Sequence, residues 1–192
     1  MTRTENFIQV EVKSPAELRE WLLNNHNQKE SIWLVTYKKD VIEKYVSVQE
    51  VLDQLLCFGW IDGIRRKLDK ERTMQLIAPR RVEHWSQTYK VRFAKLETAG
   101  LIHQSGFNAV EASKKAGLWN FMDDVDNLII PYDLQEALTK NNEAKLFFEG
   151  INASSKRFVL RWIKLAKTAK TRASRIEQIV QLSLKGEKLK GS

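Results

Sequence analysis

The sequence predicts an α+β fold, with a small mixed β-sheet and flanking helices in the N-terminal half and a helical C-terminal region. Three observations lead there. Strand-like stretches rich in β-branched and aromatic residues nearly disappear after Pro79. Helix-start signatures recur from Ser14 to Asp133. Beyond Pro79 the apolar residues return at three- and four-residue spacing. With 192 residues, 43% of them hydrophobic, and six Trp and eight Phe, the chain can bury a real core.

Phe7 to Val12 alternates polar and apolar residues and predicts a half-buried strand. Ser14-Pro15-Ala16-Glu17 then supplies an N-cap, a proline at the first helical position and a glutamate three residues after the cap. The helix it opens carries Leu18, Trp21 and Leu22 on one face and ends near Asn24-Asn25. Ser31 to Tyr37 is β-rich and largely apolar and predicts a central strand. Ser47 with Glu50 is a second capping box, ahead of Val51, Leu52, Leu55 and Leu56. Gly59 to Gly63 reads as a turn bracketed by glycines, with Asp62 inside it. Ile64–Asp69 and Thr73–Ile77 read as two strands of a hairpin joined through residues 70–72.

Trp85, Tyr89, Phe93 and Leu96 fall at helical spacing, and Gly100 supplies the stop. Ser105 to Ala116 makes a shorter helix before Gly117. An acidic loop with Asp123, Asp124 and Asp126 follows. Asp133 with Glu136 reads as a third capping box, Asn141-Asn142 as a break, and two further helices run from Ser154 to Gly186. The β signal ends near residue 84, which predicts a sheet region at 1–84 and a helical region at 85–192, packed as one cooperative unit.

Cys57 is the only cysteine, so no intramolecular disulfide or thiolate metal cage is expected, and its apolar neighbours make it a core residue. His26, His84 and His103 have no ligand spacing, so no metal is expected. No phosphate-binding glycine loop and no Gly-x-Ser-x-Gly elbow occur, and no cofactor is expected. No apolar run reaches the roughly 18 residues of a membrane helix. Residues 1–13 lack the apolar stretch of a signal peptide, so the expected location is cytoplasmic.

Charge is the informative feature. Residues 1–60 hold 7 basic and 9 acidic side chains, 61–100 hold 10 and 5, 101–150 hold 4 and 8, and 151–192 hold 11 and 2. The net +8 is therefore two basic blocks set between acidic ones, which suggests an anionic partner. In the first block Trp60, Arg65, Lys67, Arg72, Arg80, Arg81, Trp85 and Ser86 form a candidate ligand surface. Guanidinium groups beside indoles can hold an anion and stack on a flat ligand. The alternative is that Trp60 and Trp85 are core and the arginines pair with Asp62, Asp69, Glu71 and Glu83. Asp62 is the candidate general acid or base, although a turn aspartate more often bonds its own backbone. In the second block Arg157, Arg161 and Lys164 stripe one helix face, and Lys167, Lys170, Arg172 and Arg175 continue it, an uncompensated surface suited to phosphate or merely to solvent.

Residues 57–63 (Cys-Phe-Gly-Trp-Ile-Asp-Gly), then Ala78-Pro79-Arg80-Arg81 and Trp85-Ser86, resemble the signature of the YdeI/OmpD-associated, bacteriocin-protection family. The resemblance continues through Gly100, Gly106, Val110, Ala112, Gly117 and Trp119 and ends in residues 171–176 and 186–188. It carries over no catalytic residue. It implies a link to antimicrobial-peptide resistance and to an outer-membrane porin, hence an envelope role.

The leading expectation is an anion-binding protein, with nucleic acid or a nucleotide favoured. One rival is an enzyme on a small phosphorylated or carboxylated substrate with Asp62 as acid or base. Another is a stress or antimicrobial-resistance interaction protein without catalysis. The sequence does not choose an oligomeric state.

Overall fold

The computed structural model describes residues 7–192. They form two compact units that divide between Asn120 and Phe121. The β signal ends earlier, near residue 84, but two helices beyond that point complete the core of the first unit.

In the first unit the order is β1 (Gln9–Glu11), α1 (Pro15–Asn25), β2 (Ile32–Tyr37), α2 (Val48–Phe58), β3 (Trp60–Lys67), β4 (Arg72–Pro79), α3 (Gln87–Thr98) and α4 (Gln104–Lys115). The sheet runs β1-β2-β4-β3. β1 is parallel to β2, while β4 is antiparallel to both of its neighbours, so the sheet is mixed.

The helix starts follow the sequence. Ser14 Oγ accepts from the amide of Glu17, with Pro15 at the first helical position. At α2 Ser47 and Glu50 complete a reciprocal capping box. Gly59 then ends α2 in the left-handed region, at φ 71°, and the chain passes directly into β3. The expected turn over 59–63 is thus a strand, because one glycine makes the whole reversal. Gly63 lies beside a register shift between Asp62 and Arg65, where a Cβ would stand 3.3 Å from the carbonyl of Leu76.

Paired residues across antiparallel strands share a face. Ile32, Leu34, Ile77 and Trp60 therefore point together and bury against Leu18 and Leu22 of α1 and Val51, Leu55 and Leu56 of α2. Trp85, Phe93 and Val110 close the same core. Each such side chain contributes about 1.5–3 kcal/mol by burial. Trp85 precedes α3 instead of lying in it, and its indole N–H donates to Ser113 Oγ at 3.0 Å. α2 and α4 cross tightly: a Cβ on Gly106 would meet the Cys57 carbonyl at 2.5 Å, and one on Gly59 the Ser105 carbonyl at 2.7 Å.

The second unit holds α5 (Asp123–Asp126), α6 (Tyr132–Thr139), α7 (Asn142–Gly150), α8 (Ala153–Lys164) and α9 (Ala169–Leu184) around Met122, Leu134, Phe148, Leu160, Ile163 and Ile179. The acidic loop is in fact the short helix α5. The third capping box does not form, since Pro131 is the N-cap of α6 and the Asp133 carboxylate turns to Arg172. Lys140 is the C-cap of α6 and Asn141 the N-cap of α7, its side chain accepting from the amides of Glu143 and Ala144. No helix among the described residues is long and apolar enough to cross a membrane.

Candidate functional site

The helix-covered face of the sheet changes character along its length. Beyond Leu34 and Ile77 it carries Thr36, Thr73, Gln75, Asp62 and Arg65. Thr36 and Gln75 are buried, so their polar groups need partners. Thr36 and Thr73 hydroxyls lie 3.4 Å apart, and Gln75 donates to Asp62 Oδ2 at 3.2 Å. Asp62 Oδ1 accepts from the hydroxyl of Tyr89, on α3, at 2.7 Å. Burial, and then this bond to Asp62, pushes the Tyr89 phenol up to about 12. Asp62 therefore sits in a strand and bonds to side chains, which corrects the expected turn role. Tyr89, 27 residues away, gives no sign in the sequence of being its partner.

Arg80 lies against this network. Only 3% of its side chain is exposed, and its Cζ stands 4.0 Å from the Trp85 ring centre and 5.1 Å from that of Tyr89. One nitrogen, Nη2, reaches the His84 carbonyl at 3.4 Å and Glu83 at 3.5 Å, while Nε and Nη1 have no hydrogen-bond partner among the described residues. Burial lowers its pKa, opposed by Glu83. Trp60 and Trp85, at 1% and 0% exposed, are packing walls and cannot stack on a ligand from solvent. Ser86 is the N-cap residue of α3, though its side chain makes no cap bond. Arg81, next to Arg80, is exposed.

The β3–β4 hairpin is different. Gly63 to Lys67 are all exposed, with Ile64 at 49%. Arg65 donates to Thr73 Oγ1 at 2.9 Å, and the Arg66 guanidinium lies 5.2 Å from the Trp33 ring centre on the opposite face. Arg65, Arg66 and Lys67 pair with no carboxylate among the described residues. Arg72 does: it reaches Glu11 at 2.6 Å and Asp69 at 2.7 Å, which raises its own pKa and helps, after the Tyr37 hydroxyl, to depress that of Glu11. The Lys38 ammonium donates to the carbonyls of Asp69 and Lys70, bringing one more cation to the hairpin tip from 31 residues away. Sequence distance hid that contribution too.

Part of the second basic block is engaged within its own unit. Lys164 meets Asp124 at 2.5 Å, Arg157 donates to the Asp126 carbonyl, and Arg172 grips Asp133 through two bonds of 2.6 and 2.8 Å. Arg175 donates to the Trp162 carbonyl and lies over its ring. Arg161, Lys167, Lys170, Lys185, Lys188 and Lys190 remain exposed. Lys164 and Arg172 are compensated because α5 and α6 bring acidic residues against them.

Thus the expected site residues divide. Asp62, Arg80 and Trp85 come together through Tyr89; Arg65 and Lys67 stand on the hairpin; Arg72 is tied into the sheet edge. The chain belongs to a family described as a domain of unknown function (DUF8412), whose model matches residues 10–109. Residues 127–186 match the family described as bacteriocin-protection, YdeI or OmpD-associated, in agreement with the resemblance read from the sequence. Comparison with curated proteins and with solved structures returned no match.

Proposed function

We propose that this protein binds nucleic acid through the cationic β3–β4 hairpin, chiefly by contact with the phosphate backbone. The observation that carries the reading is the run of three adjacent exposed cations, Arg65, Arg66 and Lys67, none of them ion-paired among the described residues. An exposed hairpin suits a polymer laid along it better than a nucleotide enclosed in a pocket. The hairpin offers no exposed aromatic platform, since Trp33, Trp60 and Trp85 are all buried. Single-strand binding relies on such stacking, so a duplex is the favoured form and sequence preference should be slight.

The test is fluorescence anisotropy of a labelled DNA or RNA duplex across a salt series. Affinity should fall steeply with salt, and replacing Arg65, Arg66 and Lys67 with Ala should flatten the slope by about 0.9 for each phosphate no longer neutralised. Absence of binding at low salt, or an unchanged slope in the triple variant, would overturn the proposal.

The match at residues 127–186 supports a second reading, a role in protection against bacteriocins. Its measurement is the bacteriocin sensitivity of cells with and without the protein, and with the hairpin variant. Protection that survives loss of the hairpin charges would separate that role from nucleic-acid binding.

A further inference from the structure

Helix α4 begins on a histidine. His103 is its N-cap, and the ring Nδ1 accepts from the backbone N–H of Ser105 at 3.2 Å. An amide can only donate, so Nδ1 carries no proton in this arrangement. The main chain of His103 donates to the Cys57 carbonyl at 2.9 Å, and Ser105 Oγ donates to the Phe58 carbonyl at 2.9 Å. The first turn of α4 is thereby fastened to the last turn of α2, at the crossing where Gly59 and Gly106 leave no room for a methyl group.

The groups facing the ring are cationic or neutral. Phe58 stacks on it with ring centres 5.0 Å apart, and His26, just past α1, meets it edge-on at 4.6 Å. His26 directs its own Nδ1 to the Leu23 carbonyl. Arg19 of α1 lies over Phe58 at 5.2 Å and donates to Gln54 and to the Leu101 carbonyl. From α2, Cys57 is buried, and Asp53 is occupied by Arg92 of α3. The electropositive start of α4 adds to the same field.

We propose that His103 is an acid-sensitive latch, whose protonation removes the cap of α4 and loosens its first turn from the end of α2. A proton on Nδ1 turns the acceptor into a donor. The ring can then bond Ser105 Oγ, 2.9 Å away, but the Ser105 amide loses its acceptor. The new charge also faces Arg19, His26 and the helix start. Burial, then His26, then Arg19 holds the imidazole pKa below its ordinary value. The sign follows. The folded ring binds its proton more weakly than the unfolded one, so stability falls as pH drops from the ordinary imidazole value through the folded one.

The experiment follows chemical unfolding of the full chain from about pH 7.5 to about pH 5, a range that spans histidine titration. The comparison is with His103→Asn, which keeps a capping oxygen but cannot titrate. The wild-type midpoint should fall across this window and the variant midpoint should hold. In parallel, the ring signals of wild-type His103 are titrated by NMR, a measurement that stands even if the variant fails to fold. His103 should titrate below the ordinary value and shift upward in His26→Gln. The proposal is overturned if His103 titrates at or above the ordinary value, or if His103→Asn keeps the wild-type pH dependence.

Discussion

In α8 and α9 of the second unit, Lys164 meets Asp124, Arg172 meets Asp133, and Arg157 and Arg175 each donate to a backbone carbonyl. On the β3–β4 hairpin of the first unit, Arg65, Arg66 and Lys67 stand in solvent with no carboxylate partner among the described residues. By composition the helical block is the more basic, with 11 basic and 2 acidic residues over 151–192 against 10 and 5 over 61–100. Compensation in the helical block is local: Lys164 and Arg172 meet carboxylates, whereas Arg161, Lys167 and Lys170 are exposed as the hairpin cations are. Lys164 and Arg172 draw on the acidic block that precedes them in the chain, while near the hairpin Glu11 and Asp69 are taken by Arg72, and Asp62 is held by Gln75 and Tyr89. A charge count shows that compensation is needed, and only the tertiary fold shows where it fails to arrive.

Substitutions on one stability scale can break or sharpen this contrast. The largest effect is expected at Arg80, where alanine removes a buried cation stacked on Trp85 and Tyr89. A loss of about 2 kcal/mol in denaturant unfolding is the scale for a desolvated cation–π contact. Duplex affinity should change little, and a large loss of affinity without loss of stability would put Arg80 in the binding surface after all. Next is Arg172→Ala, which breaks a half-exposed bidentate pair and should cost about 0.5–1 kcal/mol. The Arg172 guanidinium holds the Asp133 carboxyl below the usual carboxylate range. The contribution of the pair is therefore present above the unfolded pKa and lost as pH falls through the folded one. An acid unfolding series with Asp133→Asn should lack that component. The smallest effect on stability is expected for the alanine triple variant at Arg65, Arg66 and Lys67, within about 0.5 kcal/mol. A melting temperature well below wild type would mean that the hairpin charges hold the fold.

Much of the fold was legible because it rests on local chemistry. Ser14 with Pro15 and Ser47 with Glu50 state their helix starts within four residues, and Gly59, Gly100 and Gly117 state their stops by adopting positive φ. The misreadings arose where a local signal had a stronger distant competitor. Asp133 has the spacing of a capping box, but the Arg172 guanidinium, 39 residues on, takes its carboxylate. Gly59 and Gly63 look like two ends of one turn, whereas the first reverses the chain and the second relieves a register shift inside a strand. At the site, Arg80 and Arg81 are neighbours of one residue type, and nothing local says that the first turns into the core. The bond from Tyr89 to Asp62 and that from Lys38 to the hairpin turn span 27 and 31 residues, beyond the reach of any periodicity.

The crossing of α2 and α4 has a consequence for how this sequence can vary. Each backbone occupies the space that the other's side chain would need: the Ser105 carbonyl stands 2.7 Å from a Cβ at position 59, and the Cys57 carbonyl 2.5 Å from one at position 106. No exchange between the two positions helps, because a methyl at either strikes main chain and cannot be relieved by trimming the opposite residue. A library randomised at both codons and selected for folded protein should return glycine twice, with no compensating pairs. The two positions are therefore independent absolute constraints, a pattern invisible to any method that finds contacts by looking for correlated change.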